Sequence, residues 1–378
     1  MYSEKPKICH LTTVHPPFDT RIFHKEAKSL AKAGYLVTLI AKHDKEETID
    51  GVKIIPLKTP PNRIVRMTKT LLECYRKAVK VDADLYHFHD PELIIVGWLL
   101  KRRGKKVIYD VHEDVPKDII NKYWIWKPVR ILVAKITGFI EKSISLKLDG
   151  TVTATSSISQ NFKSVSEKLI VINNYALMNE LYQENKIKHE GKFNGHFVVY
   201  VGSITVERGA KEMVEAMGLL PQDCKVKLLL GGNFAPPLLK ETLERIQGWR
   251  RVEYMGWLDR FQVADVLGKA RAGMVLFHPA PNHINAQPNK MFEYMSAGLP
   301  VIASHFPLWK EIVEGNRCGL TINPLSPQEI ADAIRYIFDN PKEVEEMGQR
   351  GREAVDKKYN WLKEEKKLLA FYELILNT

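Results

Sequence analysis

The chain has 378 residues, 45% hydrophobic and 27% charged, the balance of a soluble globular protein with room for two domains that each bury a core. Its longest uncharged apolar run, LIIVGWLL, falls far short of the roughly 20 residues that span a bilayer, and the opening MYSEKPKICHLTT has no apolar signal region, so a cytoplasmic protein is expected. The formal net charge of +11 is uneven: residues 1–173 carry 30 Lys and Arg against 19 Asp and Glu, while residues 174–378 carry 26 of each, which points to an anionic partner for the first half.

In chain order, KICHLTT, YLVTLIAK, DLYHFH, KKVIYDV, GTVTAT and KLIVINN are short β-branched runs. Amphipathic stretches such as RIFHKEAKSLAKAG and PELIIVGWLLKRRG separate them and close on Gly34 and Gly104. Apolar strands alternating with helices predict parallel strands buried on both faces, hence a doubly wound α/β domain over residues 1–173. The polar stretch ALMNELYQENKIKHEGKFNGH reads as a linker. Alternation restarts with FVVYVGS, a helix from about Gly209, KVKLLLGG, a helix over LLKETLERI, RVEYMGW, a helix over FQVADVLGKA, GMVLFHP and CGLTI. These predict a second domain of the same class over residues 190–357, and the spacing beyond it is helical, with residues 358–378 as the terminal helix. Two such domains facing each other would set the carboxyl ends of two parallel sheets across one cleft, where open α/β folds bind ligands.

Motifs at strand ends then carry the chemistry. The loop after the first strand, TVHPPFDTRIF, contains neither a dinucleotide fingerprint nor a P-loop. In the second domain VGSITVERGAKEM sets Gly202, a loop ending in Arg208 and Gly209, and then a helix, an arrangement that offers N–H groups and a cation to an anion. A tight turn with a solvated arginine is the plainer alternative. Downstream, Pro288-Asn289 suits a helix start, KMFEYMSA makes about two turns, and Gly298 with Pro300 ends the helix. The positive end of that helix favours a phosphate without a metal. Glu293, one turn further in among Phe292, Tyr294 and Met295, suits hydrogen bonds from the vicinal hydroxyls of a ribose, the alternative being a surface acid on an amphipathic helix. Cys9, Cys74, Cys224 and Cys318 lie far apart without ligand spacing, so neither a disulfide framework nor a structural zinc site is expected.

The segments DTRIFHKEAKSLAKAGYLVTLIAK, DLYHFHD, YDVHED, VGS…ERGAKEMVEA, PNKMFEYMSAGLPVIAS and YNWLKEEKKLLAFYELI together resemble a retaining glycosyltransferase of the GT-B fold, family 4. The resemblance implies two Rossmann-like domains facing a cleft, with the last helix crossing back onto the first. It implies a sugar moved from a nucleoside diphosphate sugar, held by the C-terminal domain, to an acceptor hydroxyl on the N-terminal domain. No cofactor or metal is implied; the donor is itself a substrate. Glu293 matches the ribose-binding second acid of the paired-glutamate motif, but the first acid falls at Asn285. The phosphate-binding arginine and lysine fall at Ser203 and Arg208, so one expected cation is missing and the other is an arginine fork. His112 matches a histidine that contacts the donor sugar.

The expected catalytic residues are therefore His112 and Arg208, and the expected donor-binding residues are Gly202, Ser203, Asn285, Asn289, Lys290, Met291 and Glu293. Asp19, Arg21 and His89 are the expected acceptor-side residues. VDAD at residues 81–84 has the spacing of metal-dependent glycosyltransferases of another fold, but it precedes a strand at its amino end and reads as a turn. Asn285 and Ser203 leave open a sugar-nucleotide-binding pseudoenzyme or partner subunit, and a sugar-nucleotide epimerase of the same fold is the nearest enzymatic alternative. No recognisable nucleic-acid module accompanies the basic charge. Finally, NRIVRMTKTLLECYRKAVK, with Ile64, Val65, Met67, Leu71, Leu72 and Tyr75 toward one side, and NKYWIWKPVRILVAKITGFIEK, with Tyr123, Trp124 and Trp126, combine basic and interfacial residues. They predict a saccharide or lipid-linked acceptor met at the anionic inner face of a membrane, the alternative being two helices packed on the sheet.

Overall fold

The computed structural model describes residues 5–120, 126–177 and 195–378; Tyr123, Trp124 and most of the expected linker lie outside the described residues. The chain divides into two compact units, Met1–Asn174 with Trp361–Thr378, and Tyr175–Asn360.

The first unit is built on eight strands: β1 Lys7–Leu11, β2 Leu36–Lys42, β3 Glu47–Ile49, β4 Val52–Leu57, β5 Leu85–Phe88, β6 Lys106–Val111, β7 Gly150–Thr153 and β8 Leu169–Val171. They lie in the order β3-β4-β2-β1-β5-β6-β7-β8, and every pairing is parallel except β3 with β4. That antiparallel edge was not among the expected strands. Its signal is the Asp50-Gly51 pair, whose φ values of 51° and 80° are the two left-handed positions of a tight hairpin turn. Strand order reverses between β1 and β5, so the loops leaving those two strands part and open the carboxyl edge of the sheet. The expected helix after β1 runs from Thr20 to Lys32, and Thr20–Ala27 is wound wider than an α-helix, with His24 N donating to Asp19 O at 3.2 Å. VDAD is a turn, as read: the helix before it ends at Val81, Asp82 takes φ 50°, and the Asp84 carboxylate accepts the Lys7 N–H at 2.7 Å.

The second unit holds six parallel strands, β9 Phe197–Val201, β10 Lys227–Gly231, β11 Val252–Gly256, β12 Ala272–Val275, β13 Val301–Ser304 and β14 Gly319–Ile322, in the order β11-β10-β9-β12-β13-β14. This is the Rossmann order, and its switch point falls between β9 and β12. Apolar clusters cover both faces, one around Trp309, Tyr294 and Phe292, the other around Met213, Leu228 and Ile334. Continuous strands such as KLLLG are therefore buried on both sides.

The terminal helix, Trp361–Leu376, belongs to the first unit, as the resemblance implies. Trp361 is buried and its indole N–H donates to Ser29 Oγ at 2.9 Å; Glu364 accepts the Asn173 N–H at 2.8 Å; Tyr372 Oη lies 2.6 Å from His87 Nδ1. Trp361→Ala should destabilise the chain by about 3–5 kcal/mol, because it leaves an aromatic-sized void and an orphaned hydroxyl. Equilibrium urea unfolding of the variant against the wild type measures this.

Candidate functional site

At the switch point of the second unit the loops that leave β9 and β12 meet. Gly202, at the end of β9, has φ 134°, and a Cβ there would lie 2.8 Å from Lys290 Nζ, so the ammonium occupies the space that a side chain at this position would take. Gly209 has φ 73°, and its Cβ would lie 2.2 Å from the Leu276 carbonyl oxygen; only glycine lets these two loops touch. Lys290, in the first turn of the helix Asn289–Ser296, is buried with its Nζ 3.9 Å from the Tyr200 ring centroid and 5.5 Å from that of Phe277. Among the described residues Nζ has no hydrogen-bond partner. The Arg208 guanidinium stands 5.4 Å over the same Phe277 ring and lies 3.5 Å from the Ser203 carbonyl. Burial, and then the Arg208 charge, pull Lys290 well below the ordinary lysine range.

The other expected donor residues are placed variously. Glu293 sits one turn into the helix, and its Oε1 accepts from Arg260 Nη1 at 2.8 Å. Asn285 is exposed on the preceding loop, which Trp309 anchors by donating from its indole nitrogen to the Ala286 carbonyl at 2.7 Å. Met291 is wholly buried in the core and its N–H bonds the Pro288 carbonyl at 3.0 Å, so it supports the helix start rather than offering a side chain to a ligand. Arg260 was not anticipated; an arginine opening the helix Arg260–Lys269, 33 residues from Glu293, has no local signature.

In the first unit a polar cluster fills the carboxyl ends of β1, β5 and β6, and its centre is Asp110, which the motif reading passed over. Arg21 clamps this carboxylate through Nε and Nη2, both at 2.9 Å, and donates from Nη1 to the Ile172 carbonyl at 2.8 Å. Expected on the acceptor side, Arg21 is only 3% exposed and is held inside the cluster, its Nε also 2.9 Å from Glu26 Oε1. His112 Nε2 lies 3.0 Å from Asp110 Oδ2 and 3.2 Å from His89 Nδ1, and His89 Nε2 lies 2.9 Å from His10 Nδ1. Tyr372, on the terminal helix, stands 3.3 Å from His10 Nε2 and 2.6 Å from His87 Nδ1. Asp19 caps the first helix, accepting from the N–H groups of Arg21 and Ile22 at 2.8 and 3.0 Å. The sequence did hold one signal for the extra histidines: in DLYHFH, His87 and His89 are two apart, and a strand puts such residues on one face.

Charge in this cluster is settled internally. Burial alone would raise the Asp110 pKa, but Arg21, and then His112 and His89, hold it well below the carboxylate range. Burial, helped by the charge of Asp110, pushes Glu26 well up. Burial lowers His10 and His87 far below the histidine range and brings His89 down to about 4. The Arg21 cation therefore faces the Asp110 anion, with Glu26 2.9 Å from Arg21 Nε and His10, His87 and His89 held neutral around them. Among the described residues two groups bring possible metal-ligand atoms within 4.8 Å of one another, His10 with Glu26, His87 and His89, and His89 with Asp110 and His112. Most of those ring nitrogens already pair with one another, with Asp110 or with Tyr372.

These shifts fix a pH dependence. Between the ordinary histidine pKa of about 6.5 and its folded value of about 4, His89 takes up a proton in the unfolded chain but not in the native one. Stability should fall as the pH is lowered through that window, by up to about 3 kcal/mol from this residue alone. Urea unfolding at pH 7, 5.5 and 4.5 checks it, and His89→Gln should flatten the slope.

Each unit matches a known family: residues 195–340 match Glycosyl transferases group 1, and residues 20–175 match Glycosyltransferase Family 4. The MMP alpha-(1->4)-mannosyltransferase of Mycolicibacterium hassiacum is 22% identical over 298 residues, 75% of this chain and 69% of that one. Among solved structures, sucrose-phosphate synthase from Thermosynechococcus elongatus has a TM-score of 0.81 at 20% identity, covering 99% of this chain and 100% of that one. Anabaena Alr3699/HepE in complex with UDP-glucose has a TM-score of 0.73 at 13% identity, over 97% and 99% of the two chains. The two family matches, one on each unit, and the fold these proteins share make the chain a GT-B-fold glycosyltransferase related to the group 1 and family 4 enzymes.

Proposed function

We propose that the protein transfers a hexosyl group from a nucleoside diphosphate sugar to an acceptor hydroxyl with retention, in polysaccharide or glycolipid assembly. The observation that carries this reading is the pair of cations at the switch point of the second unit, Lys290 and Arg208, with Lys290 buried and its Nζ without a hydrogen-bond partner among the described residues. A buried unpaired ammonium is costly, and a diphosphate between the two side chains restores both charge and hydrogen bonds. When the bond from the sugar to the diphosphate breaks, the electron pair goes to the phosphate oxygen, and these cations stand where that charge develops. The acceptor oxygen attacks the same face of the sugar and its proton passes to the departing phosphate; His112 contacts the donor sugar.

Lys290 also answers the departure at Ser203. The family's arginine is absent from the loop, yet an ammonium from the next helix fills the space above Gly202. The two cations expected of an active enzyme are thus present, which favours turnover over a binding-only pseudoenzyme. Glu293 receives the ribose hydroxyls when Arg260 yields its bond. A uridine diphosphate sugar is the first donor to try, because the Anabaena relative was solved with UDP-glucose.

The acceptor side is read as working at an anionic membrane from inside the cell. Ile64 is 76% exposed, Trp126 74% and Phe139 73%, and Leu132 and Ile136 are also exposed, among Arg63, Lys127, Arg130 and Lys135. The face of the segment Arg63–Val81 expected to be apolar divides: Leu71 and Tyr75 pack on the core, whereas Ile64, Met67 and Leu72 stay outside. Among the described residues no helix is long and apolar enough to cross a membrane, so docking is peripheral.

Lys290→Ala should lower turnover by about two to three orders of magnitude, the scale of losing one preorganised charge-stabilising group, and activity should survive excess EDTA. Glu293→Gln should weaken donor binding by about 1.5–3 kcal/mol with the fold intact. Steady-state kinetics and calorimetry with UDP-glucose and other nucleotide sugars check both, and product formed without an acceptor would indicate an epimerase instead. Co-sedimentation with anionic vesicles should fall with added salt and with Phe139→Ser.

A further inference from the structure

A second cationic site lies in the first unit, apart from the histidine cluster. An open recess of about 390 Å³ is lined by Lys42, Thr59, Pro60, Asn62, Arg63 and Arg66. Its walls are set by the parallel sheet: Lys42 is the last residue of β2, and Thr59 and Pro60 follow the end of its neighbour β4. The recess therefore sits on the carboxyl edge, the edge on which open α/β sheets take their ligands. Three cations line it and no carboxylate does. Among the described residues, neither the Lys42 ammonium nor the Arg63 guanidinium has an ion-pair or hydrogen-bond partner. Arg66 is oriented: its Nε is 2.9 Å from Glu92 Oε1, and that same oxygen accepts from Thr13 Oγ1 at 2.7 Å. Thr13 belongs to the loop that leaves β1, where its N–H is held by Asp90 at 2.5 Å. Asn62 uses its side-chain oxygen to cap the following turn, accepting the Val65 N–H at 3.0 Å, which leaves its amide NH₂ as a donor.

We propose that this recess binds a phosphate group carried by the acceptor. The assignment rests on the first unit being the acceptor-binding part and adds to it the chemical class of the acceptor. Two arginine forks and an ammonium match the oxygens of a phosphate better than they match a neutral sugar hydroxyl, and Thr59 and Asn62 add neutral donors. Glu92 neutralises one of the three charges, so the recess keeps a net excess of two cations for a dianion. The exposed Ile64 and Met67 begin the helical segment at its rim, which suits a phosphate at the boundary between a saccharide and a lipid. A soluble sugar phosphate presents the same group.

The test is calorimetric titration of inorganic phosphate into four proteins: wild type, Lys42→Ala/Arg63→Ala, Lys42→Arg/Arg63→Lys and Arg208→Ala. Binding should weaken at least tenfold in the double alanine variant, persist in the charge-conserving variant, and persist in Arg208→Ala, whose change lies in the second unit. Lys42→Ala/Arg63→Ala should keep the wild-type melting temperature and donor affinity. Phosphate binding lost only in Arg208→Ala would overturn the proposal while leaving the donor reading intact. No phosphate binding by the wild type, or equal binding by the double alanine variant, would also overturn it. Phosphatidic acid vesicles separate the sources: release of bound protein by free phosphate identifies a lipid headgroup, and phosphate binding without vesicle sedimentation identifies a soluble phosphorylated acceptor.

Discussion

The buried pair of Arg21 and Asp110 holds the first unit's site together. Its partners come from far along the chain: the wide-wound helix after β1, the end of β6, and the carbonyl of Ile172 beyond β8. Taking both charges out of water is expensive, so the pair depends on the three hydrogen bonds the guanidinium donates, two to Asp110 and one to the Ile172 carbonyl. The histidines follow from that constraint. His89 and His112 both lie against Asp110 Oδ2, at 3.2 and 3.0 Å. His10 lies against His89, and Tyr372 then joins His10 and His87 to the terminal helix. The contact of the last helix with β1 and β5 is thus joined to Asp110 on β6 in one continuous polar network, high in cost if any member is lost.

The second unit handles charge the opposite way. Arg21 is matched by Asp110, whereas among the described residues the buried Lys290 Nζ has no hydrogen-bond partner. The ring faces of Tyr200 and Phe277 give the ammonium partial compensation, and Arg208 opposes it. The contrast is one of wiring: the Asp110 cluster is cross-linked by short contacts to the histidines and Arg21, whereas the Lys290 ammonium meets ring faces instead of hydrogen-bonding oxygens.

How much of this was legible depends on the range of the interaction. The alternation of strands and helices, the helix start at Pro288-Asn289 and its end at Gly298 are local, and the observed helix Asn289–Ser296 follows them closely. The position of Glu293 in that helix was legible for the same reason. Asp110 was not, because its meaning comes from Arg21, 89 residues away. Nor was the engagement of Glu293 by Arg260. The β3–β4 hairpin was legible in Asp50-Gly51 and was missed because parallel alternation dominated the pattern. The apolar residues of Arg63–Val81 divide by depth: the buried contacts are Thr70, Cys74 and Ala78, a stripe of small residues at four-residue spacing with Leu71 and Tyr75 at its edge, while Ile64, Met67 and Leu72 stay outside.

Lys290 shows that a cation missing from one loop can be supplied in space by another element. In one dimension Ser203 removes a cation from a loop where one is expected. In three dimensions the neighbouring Gly202 has no side chain, and the space over it holds an ammonium delivered from the start of another helix. What a developing negative charge responds to is the distance and burial of the positive charge, not the segment that supplies it. The exchange also has a structural cost that explains the local residue choices. The lysine stem must pass through the core, which requires the aromatic surfaces of Tyr200 and Phe277 beside it. Gly202 and Gly209 must stay small so that the two loops can close around the head group. Four residues that look unrelated in the sequence are thereby tied to one ammonium.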